Sequence, residues 1–173
     1  MKNLKKILIG TTIGAGVIGL VSYLSKLKRT GAELESVVKT NIHSFNAAGL
    51  TARIDVKLKN PTDTSLKLKF PFVKVIYKQK EKGTNKVVEK VIGTSKVIDK
   101  DINIPKYGEA NITGIMITIP TTELLSLAGG LLNLLTKKQA VPITVKTITT
   151  IDLGWKKIPY SKSDDMTLKP KQA

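Results

Sequence analysis

Arg53-Ile-Asp-Val-Lys-Leu-Lys-Asn-Pro-Thr-Asp-Thr64, followed at once by Ser65-Leu-Lys-Leu-Lys-Phe70, is the stretch on which the fold turns. Ile54, Val56 and Leu58 share one face while Arg53, Asp55, Lys57 and Lys59 share the other, the period-two pattern of a half-buried strand. Asn60-Pro61 stops that strand. Proline has no ladder donor and holds the residue before it out of the helical region, while Asn60 and Asp63 are able to bond back to the local backbone. The strand that departs from this turn hides Leu66, Leu68 and Phe70 and shows Lys67 and Lys69. The pattern predicts an antiparallel all-β domain and contains nothing able to attack a bond.

Working outward, the β signals continue. Val73-Lys-Val-Ile-Tyr-Lys78 and Asn85-Lys-Val-Val-Glu-Lys-Val-Ile92 flank a charged segment whose Gly83 and Asn85 read as a hairpin turn. Ile98, Ile102 and Ile104 precede Pro105 and Gly108, which end one strand and turn the chain into the next. Ile115, Ile117 and Ile119 alternate with Met116 and Thr118 up to Pro120. Thr121 or Thr122 then caps a short helix with Glu123 in its first turn, and Leu124, Leu127, Leu131 and Leu135 form an apolar contact face that Gly129-Gly130 interrupts. Two roles stay open for that helix, a cap on the open end of the sheets or a contact with a membrane or another subunit. Val141 to Leu153 is a long β-branched strand, and Gly154 turns it toward Trp155, read as a core plug, and Ile158-Pro159-Tyr160. From residue 163 a polar tail is expected to be extended or ordered by a partner.

Taken in order, Asn60-Pro61-Thr62, Val91-Ile-Gly-Thr-Ser95, Ile104-Pro-Lys-Tyr-Gly108, the Ile-rich strand, the short helix, the last long strand and Gly154-Trp-Lys-Lys-Ile-Pro-Tyr160 resemble the late-embryogenesis-abundant group 2 domain, also called the water-stress and hypersensitive-response (WHy) domain. The likeness covers residues 34 to 162. It implies an immunoglobulin-like or fibronectin-III-like antiparallel β-sandwich without enzymatic activity, often held at a membrane by a hydrophobic N-terminal segment. Asn60, Pro61, Ile104, Pro105, Gly108, Ile158 and Pro159 are the structural motif positions it marks.

Composition narrows the function classes. At 173 residues with 41% hydrophobic content the chain supports one domain and an appendage. The absence of cysteine excludes disulfides, thiolate zinc sites and a cysteine nucleophile. With 29 Lys+Arg against 13 Asp+Glu the formal charge is +16, which favours an anionic partner, phospholipid or nucleic acid, without sequence preference. Lysines spread along strand faces also fit a solvated exterior that discourages edge pairing.

The appendage is residues 1 to 30. No charged residue lies between Ile7 and Ser25, and Ile7 to Leu24 as a helix would be about 27 Å long, enough for a thin bilayer. Lys5 and Lys6 precede it; Lys26, Lys28 and Arg29 follow. Three readings compete: a signal peptide, which lacks a small-x-small cleavage site; a single-pass membrane anchor; and a helix packed on other subunits through Gly10, Gly14, Ala15 and Gly19.

No nucleophile elbow, Walker loop, zinc-protease helix or paired apolar carboxylates occur, so no catalytic residue, cofactor, metal or small-molecule substrate is expected. The lone His43 reads as a surface residue. The expected function is a membrane-anchored, non-catalytic sandwich that binds or shields macromolecules near a membrane. The alternative is a structural subunit of a symmetric assembly such as a phage virion, with the partners being membrane or other protein subunits, including copies of itself.

Overall fold

A computed structural model describes residues 34–80, 83, 86–126, 140–152 and 156–168; the N-terminal segment, with Gly10, Gly14, Ala15 and Gly19, lies outside them, as do Leu127, Leu131, Leu135 and Trp155. The described body is built from strands β1 (Glu35–Asn46), β2 (Gly49–Lys59), β3 (Leu66–Lys69), β4 (Phe72–Lys80), β5 (Val87–Thr94), β6 (Asp101–Ile104), β7 (Glu109–Pro120), β8 (Val141–Asp152) and β9 (Lys157–Leu168), with one short helix, α1 (Thr121–Ser126). One sheet has the order β1-β2-β7, and the other β5-β4-β8-β3-β6 with β9 also paired to β8. Every pairing is antiparallel. The all-β class expected from the sequence is what the body has.

The two sheets meet through the faces that the alternation marks. Ile54, Val56, Leu58 on β2, Ile112, Ile115, Ile117, Ile119 on β7, Leu66 and Leu68 on β3, Val73 and Val75 on β4, and Ile143, Val145 and Ile151 on β8 are all buried. Truncating one of the larger of these, such as Ile117, to alanine would cost about 2–5 kcal/mol. The sheets touch closely at Gly93 of β5, where an added Cβ would stand 2.7 Å from Ile117 Cγ2.

Phe70-Pro71 divides what would otherwise be one long strand. β3 pairs with β8 through Lys67↔Asp152 and Leu68↔Ile151, and β4 pairs with the same edge of β8 through Phe72↔Ile148 to Ile76↔Thr144. The neighbouring β5 and β6 are interrupted at the matching place, by residues 95–100. Ser95 closes that gap: its amide donates to the Val73 carbonyl at 2.8 Å, and its hydroxyl accepts the Val73 amide at 3.0 Å.

Three elements differ from the sequence reading. Residues 35–46, for which the sequence pattern predicts no strand, form β1, paired along β2. The segment from 163 onward, expected as a polar tail that is extended or ordered by a partner, is extended to Leu168 as the far half of β9, in register with β8. Thr121, one of the two residues expected as the helix cap, donates its hydroxyl to the Ala47 carbonyl at 2.8 Å and so fastens α1 to the β1–β2 turn. On α1 Leu124 is buried and Leu125 is 58% exposed.

Candidate functional site

Three polar regions stand out against this apolar frame, and they differ in how their polar groups are satisfied. The first is a knot at the ends of β2 and β6. Asn60 is fully buried. Its Nδ2 donates to the Thr64 and Pro105 carbonyls at 2.7 and 2.9 Å, and its Oδ1 accepts the Thr62 amide at 3.1 Å and the Thr62 hydroxyl at 2.7 Å. Its own amide reaches the Gly108 carbonyl at 2.9 Å, and the Tyr107 amide reaches the Thr62 carbonyl at 3.0 Å. Asn60-Pro61-Thr62 and Ile104-Pro105-x-x-Gly108, read as separate motifs in the sequence, are thus one hydrogen-bonded unit. Aspartate at position 60 would aim a carboxylate oxygen at two carbonyls, so only an amide supplies both halves of the set. The remaining motif pair, Ile158 and Pro159, lies elsewhere, on β9 opposite Ile151 and Thr150. Proline is tolerated there because, among the described strands, β9 pairs on one side only, with β8.

The second region is the seam where β1 approaches β9. The inner positions of β9 include Tyr160, Lys162 and Asp164, each only partly exposed. Lys162 donates to the Ser36 carbonyl of β1 and lies 3.4 Å from Asp164. Burial pushes the Tyr160 phenol up from its ordinary range, with the Ser36 hydroxyl beside it opposing the shift. The hydroxyls of Ser36, Thr40 and Thr147 and one oxygen of Asp164 are buried without a well-formed hydrogen bond to protein. Nothing in the sequence pairs these two segments, because their inner faces carry polar side chains where an alternating strand would show apolar ones.

The third region is the outer surface of the two sheets. On the first sheet, Asp55 accepts the Gly114 amide at 2.7 Å and Arg53 Nε at 3.2 Å. The Gly114 amide, helped by Arg53, holds this carboxyl below its usual range despite some burial. Gly114, at φ 76, supplies the left-handed turn that aims the amide at it. His43 borders a hollow of about 400 Å³ with Asn41, Ile42, Arg53 and Asp55. No cluster of metal-ligating side chains occurs among the described residues.

On the second sheet, Lys69 bridges Asp99 at 2.7 Å and Asp101 at 2.9 Å, and Lys67 joins Asp101 at 3.0 Å. These contacts raise the Lys69 ammonium and, through Lys69 and then Lys67, lower the Asp101 carboxyl. Asp165 of β9 is lowered by the Thr144 hydroxyl and Lys78. These carboxylates are held charged by donors already in place, a state suited to surface structure and unsuited to delivering a proton at neutral pH. Lys74 and Lys146 differ from the other lysines named here: they face each other directly across β4 and β8.

No family model matches the chain, and no curated protein matches it. Among solved structures, the chain is similar to a protein from Arabidopsis thaliana solved in solution, at 15% identity and a TM-score of 0.52, covering 82% of this chain and 84% of that one. It is also similar to a protein from Archaeoglobus fulgidus, at 11% identity and a TM-score of 0.49 over 82% of this chain and all (100%) of the other. A candidate late embryogenesis abundant (LEA) protein is a more distant neighbour, at 14% identity and a TM-score of 0.36 over 92% of this chain and 89% of that one. The first of these establishes a shared fold.

Proposed function

We propose that this chain is a non-catalytic β-sandwich of the late-embryogenesis-abundant group 2 (WHy) type, tethered to a membrane by its residues 7–24, that binds or shields macromolecules beside that membrane. The observation that carries the reading is the Asn60 knot. The two motifs at the centre of the family resemblance, with Asn60 and Pro105 separated by 45 positions, serve a single structural purpose, so their joint occurrence has a physical reason. The strand order adds support. With β3–β4 and β5–β6 taken as broken strands, one sheet is β1-β2-β7 and the other is (β5–β6)-(β3–β4)-β8-β9, the arrangement of a fibronectin-III-like sandwich. The carboxylates Asp55, Asp101 and Asp165, held ionised, argue against acid–base chemistry as the role.

The membrane part of the proposal rests on the sequence: an uncharged, apolar run flanked on both sides by lysine. Among the described residues no helix is long and apolar enough to cross a membrane. Expression of full-length and Δ1–30 protein followed by membrane fractionation tests the tether. Full-length protein is expected in the detergent-extracted fraction and the truncated form in the supernatant; full-length protein that stays in solution without detergent would remove the tether from the proposal.

A second reading, a subunit of a symmetric assembly such as a virion component, is favoured by one feature. β5 lies at a sheet edge and leaves Val87, Val88 and Val91 at 50%, 44% and 48% exposure, a surface open to strand pairing with another copy. Discrete high-order oligomers in detergent-free mass measurements would favour it over the tether.

A further inference from the structure

Lys74 of β4 and Lys146 of β8 are direct cross-strand partners, both half-buried and both on the outer face of the second sheet. Like charges in that position repel and weaken a sheet. Elsewhere on this face the lysines have acids: Lys67 has Asp101, Lys69 has Asp99 and Asp101, and Lys78 has Asp165. Among the described residues no carboxylate forms an ion pair with Lys74 or Lys146. Asp165, next along β9, is already engaged by Lys78 and the Thr144 hydroxyl. A fold that matches its other charges here and leaves two ammonium groups opposed breaks a local rule, and such breaks belong to sites of function or strain.

The surroundings of the pair indicate what it fits. The register places Thr94 of β5, Lys74, Lys146 and Ser163 of β9 in one row across the sheet, so hydroxyls stand at both ends of the two cations. The adjoining row is Phe72, Ile148 and Ser161, with the Phe72 ring centroid 5.7 Å from Lys74 Nζ. A phosphodiester between the lysines would pair with both ammonium groups, relieve their repulsion and accept from Ser163 or Thr94. Phe72 and Ile148 beside it offer an apolar ledge, which suits the glycerol region of a lipid better than a nucleic-acid backbone.

We propose that Lys74 and Lys146 form a headgroup site for anionic phospholipid, holding this face of the domain against a charged membrane surface. The choice of lipid over other phosphates rests on the membrane reading above, but the site itself can be tested without the tether. Full-length protein in neutral detergent is titrated with dihexanoyl phosphatidylserine, a soluble lipid of defined charge, and with dihexanoyl phosphatidylcholine as the zwitterionic control. Saturable binding of the anionic lipid alone is expected. Each of Lys74→Gln and Lys146→Gln weakens it roughly fivefold, and the double variant roughly 25-fold, at low salt.

Two further readouts separate a site from diffuse charge. K67Q/K69Q removes as much positive charge from the same face, yet leaves affinity within about twofold of wild type because those lysines are already neutralised by acids. K74Q/K146Q also raises the thermal midpoint by relieving the repulsion, so its loss of binding is not a folding defect. Equal losses in the two double variants, or no saturable binding by wild type, would overturn the proposal. So would inorganic phosphate competing as well as the lipid, or a single-stranded oligonucleotide binding more tightly through the same lysines. A protein that fractionates with membranes but ignores the soluble lipid would keep the tether and lose this site; the converse result would keep the site and lose the tether.

Discussion

The knot at Asn60 and the seam between β1 and β9 are both buried and polar, yet they are built on opposite terms. At the knot both side-chain hydrogen-bonding atoms of Asn60 have partners, and the carbonyls of Thr64 and Pro105 each accept a second hydrogen bond, from the Thr62 hydroxyl and the Gly108 amide. At the seam Lys162 ties the strands together and the Ser36 hydroxyl stands beside the Tyr160 phenol, while Thr40, Thr147 and Asp164 each keep a side-chain oxygen without a hydrogen bond to protein. A satisfied network fixes geometry, and an unsatisfied one carries a standing cost near the desolvation penalty of each group. The difference teaches where this sandwich is rigid: at the end that joins β2 to β6 and β7, and less so along the side closed by β1 and β9.

The sharpest way to break the comparison is to remove the knot. Asn60→Ala deletes the four hydrogen bonds made by its side chain and opens a cavity at a fully buried position, leaving the Thr64 and Pro105 carbonyls only the Thr62 hydroxyl and the Gly108 amide, so a loss of about 2–4 kcal/mol in unfolding free energy is expected by urea denaturation. Asn60→Asp should be no milder, because a carboxylate oxygen then faces those carbonyls. A change under about 1 kcal/mol would mean that the loops are held by Pro61, Pro105 and the backbone bonds alone.

This contrast also explains what could be read from the chain. β2, β4 and β7 announced themselves because their inner positions are almost purely apolar, as with Ile54, Val56 and Leu58 or Ile115, Ile117 and Ile119. β1 and the far half of β9 did not, since Ser36 and Thr40 on one and Lys162 and Asp164 on the other place polar groups on the inner face. Those two strands face each other, so the alternation disappears where the seam lies. The halves of the knot were each visible as punctuation, but a contact between Asn60 and Pro105 is a property of the folded sheet order. The opposition of Lys74 and Lys146 is likewise set by strand register, which two lysines in a sequence do not reveal.

A smaller effect probes the seam through pH. Burial raises the Tyr160 phenol, so the folded state holds that proton more tightly than the unfolded chain does. Stability linked to it is complete below the unfolded value of about 10 and declines as pH rises through the higher folded value. Urea midpoints measured from about pH 9 to about pH 11 should fall more steeply for wild type than for Tyr160→Phe, with lysine titration common to both. Parallel curves would place the phenol in open solvent and the seam wide apart.

The smallest effect is the most telling in sign. Thr147 is fully buried on β8 opposite Lys162, and its hydroxyl has no hydrogen bond to protein. Valine has nearly the same shape and removes the hydroxyl's desolvation cost, so Thr147→Val is expected to raise stability by up to about 1 kcal/mol. At the knot any comparable exchange of a polar for an apolar group lowers stability, because partners are left behind. If Thr147→Val instead destabilises, the hydroxyl is hydrogen-bonded to water held between β1 and β9. The seam would then be a hydrated network with the same logic as the knot, its partners drawn from solvent rather than from the chain.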